Sequence, residues 1–193
     1  MAYDANAAER LILARCAETE SASPVEIALA LMHRPEIRMH GPEHHLLTAA
    51  SLCAAWCAVT GERREEHLER LRARCALIHP GVCGYYGVCG DTLAAGAFLS
   101  EMLDADYLSG REWKTINEFT ARMQRAAADA GSRGPRCCKR TTLAVLLAAP
   151  DALAELTGIR LAGAAYSACE FRPNNPQCIG SACRFCGGEA KIP

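Results

Sequence analysis

The number and placement of the cysteines restrict the fold of this chain more than any other feature, since 12 of its 193 residues are cysteine. Such a density indicates disulfides in a secreted domain, but metal or redox chemistry where thiols stay reduced. The first ten residues, M-A-Y-D-A-N-A-A-E-R, lack the basic start and apolar core of a signal peptide. The longest apolar stretch, residues 46–60, is too short and too interrupted to span a bilayer. We therefore expect a cytoplasmic protein with reduced thiols and no membrane partner.

Apolar periodicity predicts an all-α fold, with a compact helical domain over residues 1–166 and an irregular, Cys-rich tail over residues 167–193 that packs on it. The tail has little periodicity, so it needs a metal or side-chain packing to stay ordered. The predicted helices cover residues 5–18, 25–33, 43–59, 62–76, 91–103, 113–130, 141–147 and 151–156.

Local signals define several of these boundaries. Ser23 and Pro24 suit an N-cap and a first helical position. We expect Pro150 to begin a separate short helix and Asp91 to cap another. Residues 81–90, G-V-C-G-Y-Y-G-V-C-G, are expected to form a glycine-rich loop.

Four cysteines, in contrast to the others, lie inside helical patterns among alanine, leucine and isoleucine. A cysteine in such a position acts as a small apolar residue. The pair Cys53 and Cys57 is four residues apart and shares a helix face, which would allow metal ligation, but core packing is the favoured interpretation. The four are Cys16, Cys53, Cys57 and Cys75.

The other eight cysteines lie beside glycine, proline or a helix start. Loops let thiolates converge from several directions, and glycines let the backbone approach inorganic sulfide. We predict that three or four of them hold a 4Fe–4S cluster, with Cys186 as the weakest candidate. The eight are Cys83, Cys89, Cys137, Cys138, Cys169, Cys178, Cys183 and Cys186.

Zinc is the alternative metal. Cys183 and Cys186 form the C-x2-C half of a structural zinc site, and two further tail cysteines would complete it. Eight loop cysteines exceed the four ligands of one tetrahedral ion, however. The adjacent pair Cys137–Cys138 also suits a multi-iron cluster better than one small ion.

Basic residues surround the Cys137–Cys138 pair. Cations and a helix start both lower a thiol pKa, so the pattern predicts thiolates there. The same charges predict binding of an anionic substrate, and the alternative is a solvated basic turn. The predicted substrate-binding residues are Arg136, Lys139 and Arg140, with Arg133 nearby.

The segment H-G-P-E-H-H at residues 40–45 contains the inverted zinc-peptidase pattern H-x-x-E-H. Pro42 argues against a peptidase, because proline at a helix start leaves His40 outside the first turn. We predict instead that Glu43, His44 and His45 face the cysteine loops as acid, base or substrate ligands. Capping and solvation of the helix start are an equally weighted alternative.

Four segments together resemble a cysteine-rich domain of uncharacterised function, found alone or fused to methyltransferase or radical-SAM modules in anaerobic microbes. The resemblance implies a shared site built from these segments and supplies no activity. The segments are H-G-P-E-H-H (40–45), C-G-Y-Y-G-V-C-G (83–90), G-P-R-C-C-K-R (134–140) and N-P-Q-C-I-G (175–180), followed by Cys183.

A weaker resemblance is to the cysteine-rich cluster domain of heterodisulfide reductase. That domain holds iron–sulfur clusters with a lone cysteine, a Cys-Cys pair and a C-x2-C pair. Cys89, Cys137–Cys138 and Cys183/Cys186 follow this order, although with longer gaps.

The sequence therefore predicts an iron–sulfur protein, an enzyme or accessory factor acting on a small anionic or sulfur-containing substrate. Sulfur transfer, desulfuration or another redox step suits such a site. The alternatives are a zinc-stapled module that recruits a methyltransferase or radical-SAM type of partner enzyme, and a thiol carrier of sulfur or a soft metal. The net charge of −1 gives no reason to expect a nucleic-acid partner.

Overall fold

Helices dominate the computed structural model, which describes residues 4–131 and 136–187. Two single 3-10 turns and two isolated β-bridges are the other regular features of these residues. The predicted all-α class is confirmed. The helices are α1 (Ala5–Glu18), α2 (Pro24–Met32), α3 (Glu43–Thr60), α4 (Arg64–Ala76), α5 (Val82–Tyr86), α6 (Gly90–Met102), α7 (Gly110–Asp129) and α8 (Cys138–Thr157).

Helix α3 is the central element, because α1, α2, α4, α6 and α8 all pack against it. Every residue from Glu43 to Cys57 is buried, so this helix has no solvent-facing side along most of its length. Alanine, leucine and cysteine supply most of that surface, and their small size lets five neighbours approach. The prediction that four cysteines are core residues is confirmed, since Cys16, Cys53, Cys57 and Cys75 are all buried.

Local capping chemistry fixes the start of α2 as predicted. The side chain of Ser23 accepts a hydrogen bond from the backbone N–H of Glu26 at 3.4 Å, and Pro24 is the first helical residue. Proline fits there because its missing N–H has no partner in a first turn.

The prediction that Pro150 begins a separate helix is wrong. Helix α8 runs without interruption through Pro150, although an interior proline costs about 3 kcal/mol. Leu146 and Leu153, on either side of it, are fully buried, and α8 packs against α7, α3, α2 and α6. This burial outweighs the lost hydrogen bond.

The glycine-rich segment is also more ordered than predicted. It contains the short helix α5, which glycines in the left-handed conformation bound on both sides: Gly81 at φ 85° and Gly87 at φ 69°. Glycine populates this conformation without steric cost. The expected cap at Asp91 is corrected too, since Cys89 occupies the N-cap position and Asp91 lies inside α6.

The starts of α3, α6 and α8 meet at one end of the protein. The carboxylate of Asp91 on α6 accepts hydrogen bonds from the hydroxyls of Thr141 and Thr142 on α8, at 2.9 and 3.0 Å. His44 on α3 contacts Thr142 through Nδ1 at 3.1 Å. This buried polar network places Cys89 and Cys138, which flank it in sequence, at the same end.

None of the helices in the described ranges combines the length and the apolar character that crossing a membrane requires.

The buried imidazole of His44 predicts a pH dependence of stability. Its Nε2–H donates to the Arg38 carbonyl at 2.9 Å, and burial lowers its pKa well below the ordinary value. As pH falls below about 6.5, the unfolded chain takes up a proton that the folded protein refuses, so the free energy of unfolding falls. We expect this contribution to reach about 1 kcal/mol per pH unit in wild type and to vanish in His44→Gln. Chemical denaturation between pH 5 and pH 7 measures it, in the range of about one unit around the histidine pKa.

The control for this prediction is His33→Gln, because the side chain of His33 is half-exposed. We expect this variant to keep the wild-type slope. Identical slopes for wild type and His44→Gln would contradict the prediction.

Candidate functional site

The eight loop cysteines line two neighbouring cavities. The first, which we call the tail cavity, is lined by Cys137, Cys169, Cys178, Cys183 and Cys186. The second, the glycine-loop cavity, is lined by Cys83, Cys89 and Cys138. The structure thus brings the basic turn together with the tail at one cavity and with the glycine-rich segment at the other.

The adjacent cysteines Cys137 and Cys138 separate the two cavities. Cys137 is the N-cap residue of α8 and has extended backbone angles, whereas Cys138 is the first helical residue. Side chains alternate in direction along extended backbone, so these neighbours project to different sides. One peptide unit therefore carries a ligand candidate for each cavity.

Backbone pairing and two phenylalanines hold the tail against the helices. Within the tail, the N–H of Cys169 donates to the Phe185 carbonyl at 2.8 Å, and the N–H of Arg184 donates at 3.1 Å to the carbonyl of Ala130 at the end of α7. Phe171 and Phe185 are buried in the hydrophobic core. Backbone hydrogen bonds and apolar packing therefore position the tail segment that carries four of the cysteines.

Several sulfur atoms of the tail cavity accept hydrogen bonds from N–H groups. The backbone N–H of Gly180 lies 3.5 Å from Sγ of Cys178, and Nδ2 of Asn175 lies 3.7 Å from Sγ of Cys137. The backbone of Phe171 likewise donates to Cys169. Such donors stabilise negative charge on sulfur, which is what metal-bound thiolates carry.

Asn175 connects three of the segments that the sequence analysis singled out. Its amide contacts Cys137, while its Oδ1 lies 3.3 Å from Nε2 of His40 and accepts the backbone N–H of Gln177. The sequence analysis included its segment but predicted no role for Asn175 itself. The signal available was its place in N-P-Q-C, directly before Cys178.

The three predicted substrate-binding cations lie in different environments. Arg136 is exposed and lines the glycine-loop cavity, with Nη1 3.9 Å from Sγ of Cys83. Arg140 lines the tail cavity. Lys139 is buried, and its Nζ donates to the Met32 carbonyl and lies 4.1 Å from the ring centroid of Phe171.

Burial lowers the pKa of Lys139 to about 8. Its ammonium group contacts the end of α2 and lines a separate cavity there, so Lys139 belongs to neither of the two cysteine-lined cavities. The remaining basic residue of the turn, Arg133, lies outside the described residues, as do Gly134 and Pro135.

The expectation of lowered thiol pKa values in the Cys137–Cys138 pair is wrong. Burial raises the pKa of Cys137 despite the nearby Arg140, and burial together with the charge of Asp91 raises that of Cys138 to about 12. The sequence shows the cations but not the extent of desolvation. In the absence of metal these sulfurs are therefore protonated thiols.

The three predicted acid–base residues have three different roles. Glu43 accepts two hydrogen bonds from the guanidinium of Arg38, at 2.8 and 3.0 Å. Burial would raise the pKa of Glu43, but the hydrogen bonds of Arg38 outweigh it and hold that pKa well below its usual range. His44 belongs to the buried network at the start of α8, and only His45 lines the glycine-loop cavity.

The two histidines of the H-x-x-E-H pattern face different partners. His40 contacts Asn175 in the tail, whereas His44 contacts Arg38 and Thr142. This geometry agrees with the prediction, based on Pro42, that His40 and His44 do not form a peptidase-type zinc site. Within residues 4–131 and 136–187, no three His, Cys, Asp or Glu side chains form a group that could hold a single metal ion.

Asp91 is the second residue whose role sequence reasoning missed. It is fully buried, and burial raises its pKa to about 6 despite the hydroxyls of Thr141 and Thr142. Its carboxylate lines the glycine-loop cavity beside Cys89 and Cys138. The acidic residue after Cys89–Gly90 was visible in the sequence, but its hydrogen-bond partners Thr141 and Thr142 lie 50 and 51 residues further along the chain.

A family model for DUF5714, a family of unknown function, matches residues 12–186. The chain belongs to this family. All eight cysteines of the two cavities lie within the part that the DUF5714 model covers, as do Asp91 and Asn175. No curated protein and no solved structure matches this DUF5714 chain.

A close contact between His45 and Gly90 predicts the effect of one substitution. A Cβ added at Gly90 would lie 2.1 Å from Nε2 of His45, so the imidazole must move. We expect Gly90→Ala to destabilise the protein by about 1–3 kcal/mol, as overpacked sites do. Urea denaturation measures the change.

Gly84→Ala is the matched control, because nothing lies within 4 Å of a Cβ added there. Alanine at this helical position is expected to be neutral or stabilising. Equal stability losses in the two variants would show that the His45 contact does not constrain residue 90.

Proposed function

We propose that this protein binds an iron–sulfur cluster in the tail cavity and serves as a cluster-dependent enzyme or accessory factor. The observation that carries the proposal is the convergence of five cysteines, from the start of α8 and two parts of the tail, on one cavity. A small anionic or sulfur-containing molecule is its proposed substrate, and sulfur transfer, desulfuration or another redox step is the proposed reaction class.

The number and spread of the thiols support a cluster over a single ion. Zinc binds four ligands at about 2.0–2.3 Å from one centre. A cluster distributes its thiolates over several irons, so the ligands stand further apart and a fifth cysteine has a use. Cys169, Cys178 and Cys183 with Cys137 are the proposed ligands, and Cys186 is the reserve.

Hydrogen bonds to sulfur support the same assignment. Gly180, Asn175 and the backbone of Phe171 donate to three of the cavity's cysteines. Peptide and amide donors around a cluster offset its negative charge and tune its reduction potential. Arg140 adds a positive charge at the same cavity.

Burial of the cysteine thiols affects how the cavity would bind a metal or cluster. Because the pKa values of Cys137 and Cys169 are raised by burial, binding of metal must release protons from these thiols. Cluster or metal affinity is therefore proposed to increase with pH. In such a site the protein supplies the ligands and the N–H donors, and the cluster would supply electron transfer or a Lewis-acidic iron.

Two other functions are the alternatives that the metal analysis described below distinguishes from a cluster protein. A zinc-stapled module would use the metal only to order the tail and would recruit a partner enzyme of methyltransferase or radical-SAM type. A thiol carrier would pass sulfur or a soft metal through Cys137–Cys138 and would need no tail ligands. Both of these functions are compatible with the structural contacts of Glu43 with Arg38 and of His44 with Thr142.

Metal analysis of anaerobically purified protein tests the proposal. We expect a brown protein containing iron and acid-labile sulfide in near-equal amounts. Cys169→Ser, Cys178→Ser and Cys183→Ser should each lose most of the iron, since serine is a poor ligand for iron in a thiolate site. The measurements are iron, zinc and sulfide content per chain, with the visible spectrum.

The controls are Cys83→Ser and Cys89→Ser in the glycine-loop cavity, together with Cys16→Ala in the core. We expect all three to keep the iron. Stoichiometric zinc in a colourless protein would establish the zinc module instead. Equal iron loss from the glycine-loop variants would show one core shared by both cavities, contrary to the assignment to the tail alone.

A further inference from the structure

We propose that the glycine-loop cavity is a second site, which binds a small anionic disulfide and exchanges it with the thiol of Cys83. The inference deepens the proposed function, on whose substrate class it rests. It uses side chains that lie outside the tail cavity, so the two ideas are tested separately.

The cavity has the size and lining of a small-molecule site. Its volume is about 170 Å3, several times that of a water molecule. It is formed between the start of α3, the segment around α5, the start of α6 and the start of α8. Gly41, Gly81 and Gly90 form part of its wall.

Arg136 gives the cavity its preference for an anion. The guanidinium is exposed, while its Nη1 lies 3.9 Å from Sγ of Cys83. It therefore stands beside the reactive sulfur and is open to a carboxylate of an entering molecule. Arginine binds carboxylates with two parallel hydrogen bonds, which fixes orientation as well as charge.

The other ionisable groups of the cavity, apart from its cysteines, are a hydrogen-bonded carboxylate and a neutral imidazole. The Asp91 carboxylate is fully buried and accepts hydrogen bonds from the hydroxyls of Thr141 and Thr142. His45 is buried, and burial lowers its pKa, so it is neutral at pH 7. Arg136 is thus the charged group at the opening, and the carboxylate at the interior is compensated by hydrogen bonds.

Cys83 differs from the neighbouring thiols in its charge environment. It is partly exposed, as Cys89 and Cys138 are, but it lies next to the guanidinium of Arg136. At Cys89, burial together with the charge of Asp91 raises the pKa to about 12. Its position beside the cation therefore makes Cys83 the thiol of this cavity that an entering anionic disulfide would meet.

The exchange step balances without another reactant. The Cys83 thiol first loses its proton to solvent, and the thiolate attacks one sulfur of the disulfide R–S–S–R. The Cys83 Sγ–S bond forms, the S–S bond breaks, and the leaving thiolate takes the electron pair and a solvent proton. The products are a mixed disulfide on Cys83 and one R–SH, with the substrate disulfide acting as the oxidant.

Two disulfides of similar size and opposite charge test the proposal. Anaerobically purified protein is treated with dithiodiglycolate, a dianion, or with cystamine, a dication, and mixed disulfides are located by peptide mass spectrometry. Rates at Cys83 are divided by those of a cysteine-containing model peptide. We expect the corrected anion-to-cation ratio to be about 10, which one ion pair near a surface provides. Arg136→Gln should lower it to about 1.

Two matched variants complete the test. Arg172→Gln removes a cation that lines the tail cavity and is expected to leave the ratio unchanged. Arg136→Lys keeps the charge and is expected to retain part of the preference. A ratio near 1 in wild type, an unchanged ratio in Arg136→Gln, or modification spread evenly over the loop cysteines would overturn the proposal.

Iron and sulfide content measured on the same samples separates the two proposals. Charge-selective reaction at Cys83 in a protein that lacks iron would support the second site and refute the cluster. Iron-loaded protein without charge selectivity would do the reverse.

Discussion

The buried hydrogen-bond network at the start of α8 is the constraint on which both cavities depend. Thr142 contacts Asp91 of α6 and His44 of α3, so three helices begin at positions fixed relative to one another. Each of these groups is buried, and a buried polar group without a partner is costly, so the network tolerates few arrangements. The network also fixes the positions of Cys137 and Cys138, because these cysteines lie at the first turn of α8, which it anchors.

The two cavities differ in how the chain builds them. The tail cavity depends on a segment with little regular structure, which Phe171 and Phe185 attach to the core and which Asn175 joins to Cys137. The glycine-loop cavity, in contrast, lies between the starts of helices. At the proposed cluster site, apolar packing and the Asn175 hydrogen bond hold the tail beside Cys137. A site that selects a small molecule gains from walls built by helices, because such walls set its shape and charge.

Local signals in the sequence predicted much of the fold. The cap at Ser23, the small apolar helices and the burial of four cysteines were all readable, since each depends on neighbours within one or two turns. The helix across Pro150 was not, because the burial that compensates for the proline comes from other helices. The roles of Asp91 and Asn175 were equally hidden, since their partners lie 50 and 38 residues away. The sign of the thiol pKa shifts depends on desolvation, which only the folded chain reveals.

The consecutive residues Cys137 and Cys138 line different cavities, which couples the backbone of the two cavities. The Cα atoms of Cys137 and Cys138 are joined by one planar peptide and lie about 3.8 Å apart, so a backbone shift at one residue is passed on to the other. A backbone shift that moves Cys137 toward the tail therefore also moves the Cα atom of Cys138 beside the glycine-loop cavity. Lengthening a loop elsewhere would not uncouple them. The backbone at the first turn of α8 thus links the positions of one cysteine in each cavity.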